Sequence, residues 1–234
     1  MAIYPSHNLQ MLYYSASFDG QGAIAIQAAK DFARLTGNTM HQVLALVRFG
    51  RFDEILEIDN RPGGDIPGGM WDFAQGYAHL RKHEADFAEL YLRRVRVVAD
   101  TSEAKYRGHP AAHILGVLAG ILESEIQRDS GDLDGAITTL RATVELEDQM
   151  QYDEPEPMPF DSRHWLGAAL IEAEQYAEAE TVYRAELEDH PRNGWSHFGL
   201  IQALSKQGKD TTEVRQQYAE SWARADHWIQ SSRF

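Results

Sequence analysis

An all-α fold follows from three features of the 234-residue chain. Apolar residues recur at three- and four-residue intervals almost throughout, as in GAIAIQAAKDFARL, which gathers them on one face of a helix. No stretch alternates β-branched and polar residues over the length of a strand. Glycine and proline punctuate at short intervals: Gly20 with Gly22, Gly37, Gly50, the run NRPGGDIPGG, Gly108 with Pro110, Gly131, DEPEPMP, Pro191 with Gly194, and Gly208. These breaks divide the chain into about ten or more helices joined by short turns.

In chain order, the stretches FDGQGAIAIQAA, VRFGRFDEILEI, LRKHEADFAELYL, QRDSGDLDGAITTL, EAEQYAEAETVY and SKQGKDTTEVRQQY share one pattern. Each shows a helix end, a turn, and a second helix entered through a small or apolar residue. Gly20, Gly50, Gly131 and Gly208 supply the turn in four of them. The interval from Ala136 to Ala179 is longer than one regular unit, and the excess is the acidic DEPEPMP stretch. Pro155, Pro157 and Pro159 cannot continue a helix, so an extended connector is expected over residues 152–160, with Asp161 or Ser162 capping the helix that follows. Near the end, Tyr218, Trp222, Ala225 and Ile229 fall on one helical stripe, which predicts a capping helix over about residues 211–230. Trp228 and Phe234 fall off that stripe and are the candidates for a homodimer contact. Residues 1–234 are expected to form a single domain.

Composition narrows the function classes. Thirty-six acidic against 22 basic residues give a formal charge of −14, which repels nucleic-acid backbones, and the densest basic run, LRRVRVV, is short. A hydrophobic content of 43% supplies a core but no apolar run long enough to span a bilayer. The opening MAIYPSHNLQ has no charged region followed by an apolar run, so a soluble cytoplasmic protein is expected. The absence of cysteine removes disulfides, thiolate nucleophiles and cysteine-bound metals. Neither a phosphate-binding glycine loop nor a GxSxG elbow occurs.

The hairpin pattern resembles the tetratricopeptide repeat, a helix-turn-helix unit of about 34 residues. The best match runs from Phe160 to Asn193: Gly167 takes the small first-helix place, Ala179 the small place at the crossing, Tyr183 the aromatic, and Pro191 the terminal proline. Arg163 stands where the motif prefers tryptophan and Glu186 where it prefers alanine. Looser matches begin near residues 6, 36, 69, 117 and 194. Together, YPSHNLQML, VRFGRFDEIL, YDEPEP and PRNGWSHFGLIQAL look like the C-terminal part of a group of larger bacterial tetratricopeptide-repeat proteins, which makes this chain a short member or an excised piece. The resemblance implies a right-handed α-solenoid of about five or six degenerate repeats.

In such a solenoid the first helices line a concave groove that binds a protein segment, here expected to be neutral or basic. The repeat spacing places His7, Gln10, Tyr14, His41, Arg48, Phe73, Tyr77, Glu125, Asp161, His164, Glu172, Trp195, Phe198 and Gln202 on that wall. As an alternative to a plain inter-repeat turn, the connector would fold over the groove mouth and place Asp153 or Glu154 opposite Arg163 or His164, making a polar pocket. A scaffold role without cofactor, metal or catalytic residue is the leading expectation. One alternative is a small-molecule, metal or enzymatic pocket built from His7, His41, Glu125, Asp153, Glu154, Arg163 and His164. Another is self-assembly through terminal hairpins. His79 with His83 and His109 with His113 have the spacing of helical metal pairs but lack HExxH, and a structural role is expected for both.

Overall fold

The computed structural model describes residues 4–234, in which twelve α-helices and one minimal β-hairpin follow one another. The helices form six hairpins: α1 (Tyr4–Phe18) with α2 (Gly22–Thr36), α3 (Met40–Arg48) with α4 (Phe52–Leu56), α5 (Asp65–Arg81) with α6 (Ala85–Thr101), α7 (Ala111–Asp129) with α8 (Leu133–Glu147), α9 (Arg163–Glu172) with α10 (Tyr176–Asp189), and α11 (Gly194–Lys206) with α12 (Thr212–Ser221). Every hairpin turns through one residue in the left-handed conformation, with φ of 71° at Gly20, 66° at Gly50, 62° at His83, 89° at Gly131, 59° at Glu174 and 68° at Gly208. A side chain is disfavoured at such a φ, so His83 and Glu174 carry strain that the four glycines avoid.

Each hairpin packs against the next. First helices meet first helices at α1/α3, α3/α5, α5/α7 and α9/α11, and second helices meet the following first helix at α2/α3, α6/α7, α8/α9 and α10/α11. The core between them is continuous from Phe32 to Val214. Close approach has a visible sequence cause around Tyr183, whose buried ring is gripped by Gly167 and Gly199: a Cβ on either would come within 2.3 and 2.2 Å of it.

Two insertions lengthen the intervals between hairpins. The first contains β1 (Lys105–Tyr106) and β2 (His109–Pro110), an antiparallel pair turned at Arg107 and Gly108, both at positive φ. That turn chemistry is a two-residue hairpin signal, and it corrects the expectation of no strand. The second is the proline-broken connector between α8 and α9, which is non-helical as expected.

Instead of running to residue 230, the last helix stops at Ser221, and an irregular tail follows. Trp228 remains 95% exposed, but Phe234 packs against the main core. The tail also joins the two ends of the array. The Asp226 carboxylate accepts from the backbone N–H groups of Gly22 at 2.6 Å and Ala23 at 3.0 Å, serving the uncapped start of α2 from the far end of the chain. Asp226 N–H donates to Gly20 O at 3.1 Å, Arg224 pairs with Asp19 at 2.9 Å, and Trp195 Nε1 donates to Ser17 O at 3.2 Å. No helix among the described residues is long and apolar enough to cross a membrane.

Candidate functional site

The interior face on which a partner segment was expected holds the chain's own last residues. Ser232 Oγ donates to His164 O at 2.7 Å and lies 2.7 Å from Tyr183 Oη. Arg233 reaches Glu125 at 3.0 Å. The Phe234 ring lies 4.7 Å from Trp165 and 5.7 Å from Trp195, and its carbonyl accepts from Tyr77 Oη and, at 2.6 Å, from Arg81. Tyr77 and Trp195, which meet Phe234, and Phe73, which packs on Tyr77 and Phe160, are fully buried and do not face an open groove. Glu125 is buried among Arg81, Arg128 and Arg233, and these cations, opposing its burial, hold its carboxyl below the usual range.

The remaining sequence candidates separate. Gln10 donates to Tyr106 Oη at 3.1 Å, and His41 is enclosed by Tyr13, Phe32 and Tyr106; burial, aided by Arg107, lowers its pKa to about 3. His7 is half-buried on α1, and Phe198 packs on Tyr218. Asp153 pairs with Arg107 at 2.5 Å, Glu154 is exposed, and Arg163 pairs with Asp148 at 2.7 Å, so the expected contact of Asp153 or Glu154 with Arg163 or His164 does not form. His79 stacks on Phe87 and Tyr91, and His109 approaches Asp153 at 3.6 Å; neither helical histidine pair joins a metal-like group among the described residues.

Arg48, Tyr14 and His164 do converge, together with groups that sequence reasoning did not select. Arg48 is completely buried, with its guanidinium 4.1 Å from the Trp195 ring, 5.2 Å from Phe234 and 5.5 Å from Phe18. It contacts His164 Nδ1 at 3.2 Å, while its Nε and Nη2 have no partner. Burial lowers its pKa to about 9, against the opposing pull of Glu186. Burial, reinforced by Arg48, keeps His164 neutral by holding its pKa well below the usual value.

Asn193, at the start of α11, links His164 to the next layer: its Nδ2 lies 2.7 Å from His164 Nε2 and donates to Glu186 Oε1 at 2.6 Å. Glu186 Oε1 lies 2.9 Å from His190 Nδ1. On the opposite edge of that ring, Nε2 lies 3.2 Å from Tyr14 Oη and 3.5 Å from Glu156. Tyr14 Oη donates to Glu156 Oε2 at 2.9 Å, so the connector is tied to both α1 and α10 through Glu156. Burial works against a charged His190, but its bonds to Glu156 and Glu186 prevail and raise its pKa to about 10. Asp161 is raised to about 7 by burial and by Glu186, which outweigh Arg163. Half-buried Glu147, facing Asp161, is pushed well above the ordinary carboxylate range by loss of solvation and then by that neighbour.

Two cavities flank this cluster. One, of about 820 Å³, has an apolar wall of Leu12, Ala16, Phe18, Ile24 and Pro191, with Asp19, Arg192 and Arg224 among the polar groups lining it. The other, of about 660 Å³, lies under the connector and is acidic, lined by Glu147, Asp148, Asp153, Glu154, Glu156, Asp161 and Asp189 with Arg163 and His190. Tyr14, Ser15, Asp189 and His190 line both.

A sequence signal for this cluster did exist. Glu186 departs from the small residue that the repeat prefers, and His190 follows it one helical turn later, on the same face of the chain. Glu156 had no such signal, because nothing local distinguishes it from Asp153 and Glu154. Compared with family models, curated proteins and solved structures, the chain matches none of them.

Proposed function

We propose that this protein binds a small molecule in the cleft between α1, the connector and the start of α11. The helical hairpins are taken as a degenerate tetratricopeptide-like right-handed solenoid whose interior is closed by its own tail, so an entering molecule is held in a surface cleft and not in the interior. The observation that carries it is the shared wall of Tyr14, Ser15, Asp189 and His190, where an apolar cavity meets an acidic one. Pockets of several hundred Å³ with an apolar body and a few convergent polar groups are the usual form of small-molecule sites. The chemistry selects a ligand with an apolar body and a cationic or hydrogen-bond-donating head. The buried, charge-rich cluster beside the cleft supports a functional role, since such groups are costly to bury and perturbed titrating groups cluster at functional clefts.

The test is amide chemical-shift mapping during titration with a panel of apolar amines. Shifts confined to residues 11–24, 151–161 and 189–194 support the reading. Saturable shifts elsewhere, or none with any member, contradict it.

A second reading is favoured by the tail contacts: the interior recognises a Ser-Arg-Phe-like segment, with residues 228–234 as its resident occupant. A peptide of that sequence should then bind in trans to a chain shortened to residue 227, and failure of a folded shortened chain to bind it would remove this reading.

A further inference from the structure

Asp161, Glu186 and His190 each offer a ligand atom within 4.8 Å of the others. The first lies at the end of the connector, Glu186 stands in the last turn of α10, and His190 follows directly after that helix, so two independent segments deliver the donors to one point. Glu186 is fully buried, and its Oε2 has no hydrogen-bond partner. Leaving a buried carboxylate oxygen unmatched is costly. Neither nearby arginine reaches it: Arg163 stands 3.6 Å from Asp161, and Arg48 turns Nη1 to His164.

The surroundings orient all three donors. Asn193 Nδ2 holds Glu186 Oε1 at 2.6 Å, leaving Oε2 as the free atom. Glu156 and Tyr14 hold His190 by Nε2, which aims Nδ1 at the Glu186 side. A carboxylate fixing one ring nitrogen while the other turns to the ligand side is the recurrent outer-shell arrangement of metal-ligating imidazoles; here Nδ1 faces Glu186 Oε1 at 2.9 Å, and an ion bound between the two groups would replace that contact and its proton. The backbone N–H of Arg163 donates to Asp161 Oδ1 at 2.7 Å.

We propose that Asp161, Glu186 and His190 bind one divalent first-row transition-metal ion of the zinc or manganese kind. Two carboxylates neutralise the ion, and an imidazole nitrogen favours such metals over calcium or magnesium, which prefer all-oxygen shells. Three protein ligands leave a coordination position open, as catalytic rather than structural sites do. Asp161 and His190 line the acidic cavity while Glu186 lies buried behind them, so the site adjoins that cavity. The proposal rests on the cleft reading and narrows its ligand: beside a bound cation the head group presents a lone pair, as a neutral amine or an oxygen does, in place of an ammonium charge.

The test is calorimetric titration of the chelator-treated full chain with zinc chloride and with manganese chloride, without any organic ligand. One saturable site per chain is expected for at least one ion. Affinity should fall by roughly tenfold or more in E186Q and in D161N, near-isosteric changes that remove a charged donor. It should be unchanged in H79Q/H83Q, which alters the other histidine pair on the array. Far-ultraviolet circular dichroism establishes that each variant is folded; should one not fold, the other carries the comparison. No saturable site in the wild type, or equal affinity in a folded E186Q or D161N, overturns the proposal. Because no cleft ligand is present, that failure is separate from a failure of the amine titration.

Discussion

Glu186, in the last turn of α10, and His190, which caps that helix, place Oε1 2.9 Å from Nδ1, and this pair ties the buried Arg48 layer to the two cavities. On one side Asn193 connects Glu186 to His164, and on the other Glu156 and Tyr14 close over His190. The connector is held by Glu156 through Tyr14 and His190, and by Asp153 through Arg107, rather than by packing alone. Replacing Glu156 with alanine should therefore loosen it, and amide exchange at residues 151–154 and at Met158 and Phe160 should rise by roughly tenfold while α5 is unaffected. Unchanged exchange in the connector would show that Glu156 does not anchor it.

His41 predicts an acid limb in stability. Its pKa is depressed from 6.5 to about 3 by burial and by Arg107. The unfolded chain takes up the proton first, so the contribution of the neutral ring is present above pH 6.5 and lost as pH falls toward 3. H41F, which removes the ionisable ring and an unpartnered buried Nδ1, should flatten the dependence of unfolding free energy on pH in that window. Denaturant midpoints measured from pH 7 to pH 4 would show it, and parallel wild-type and H41F curves would refute it.

Hairpin turns were legible because the left-handed position falls on glycine in four of six cases, and the two exceptions predict a gain. Glu174 holds φ of 59° without need for a side chain there, so E174G should stabilise the protein by about 0.5–1 kcal/mol. Chemical denaturation reads this directly, and a loss of stability would mean that the Glu174 side chain contributes more than its backbone strain costs.

The Phe234 contacts predict the opposite sign. Its ring meets Trp165, Trp195, Phe160 and Tyr77, so F234A should cost about 2–4 kcal/mol. A change below about 1 kcal/mol would mean that the tail is not held in the interior as described.

Local pattern explains what sequence could and could not convey. Helical periodicity and turn glycines marked the hairpins, and Pro155, Pro157 and Pro159 marked the connector. The β-hairpin at Arg107 and Gly108 was missed because two paired residues on each side are too short for a period-two signal. Closure of the array was not legible: Asp226 and Gly22 are 204 positions apart, and nothing near either residue encodes the meeting. The tail was read as helix because Tyr218, Trp222 and Ile229 keep helical spacing, but Asp226 is drawn to the start of α2 and Phe234 to the aromatic interior. Arg48, Tyr14 and His164 were selected for a groove wall. Their partners Glu156, Glu186, His190 and Asn193 belong to a three-dimensional constellation drawn from α10, the connector and the start of α11.

The most direct test of the cleft is a comparison of ligand-induced stabilisation in wild type and S15W. Ser15 is exposed and lines both cavities, so an indole there obstructs the cleft without entering the core. Compounds that raise the wild-type melting temperature should lose that effect in S15W, whose own melting temperature should stay close to that of the wild type. Equal ligand-induced shifts in the two proteins would contradict the cleft as the binding site.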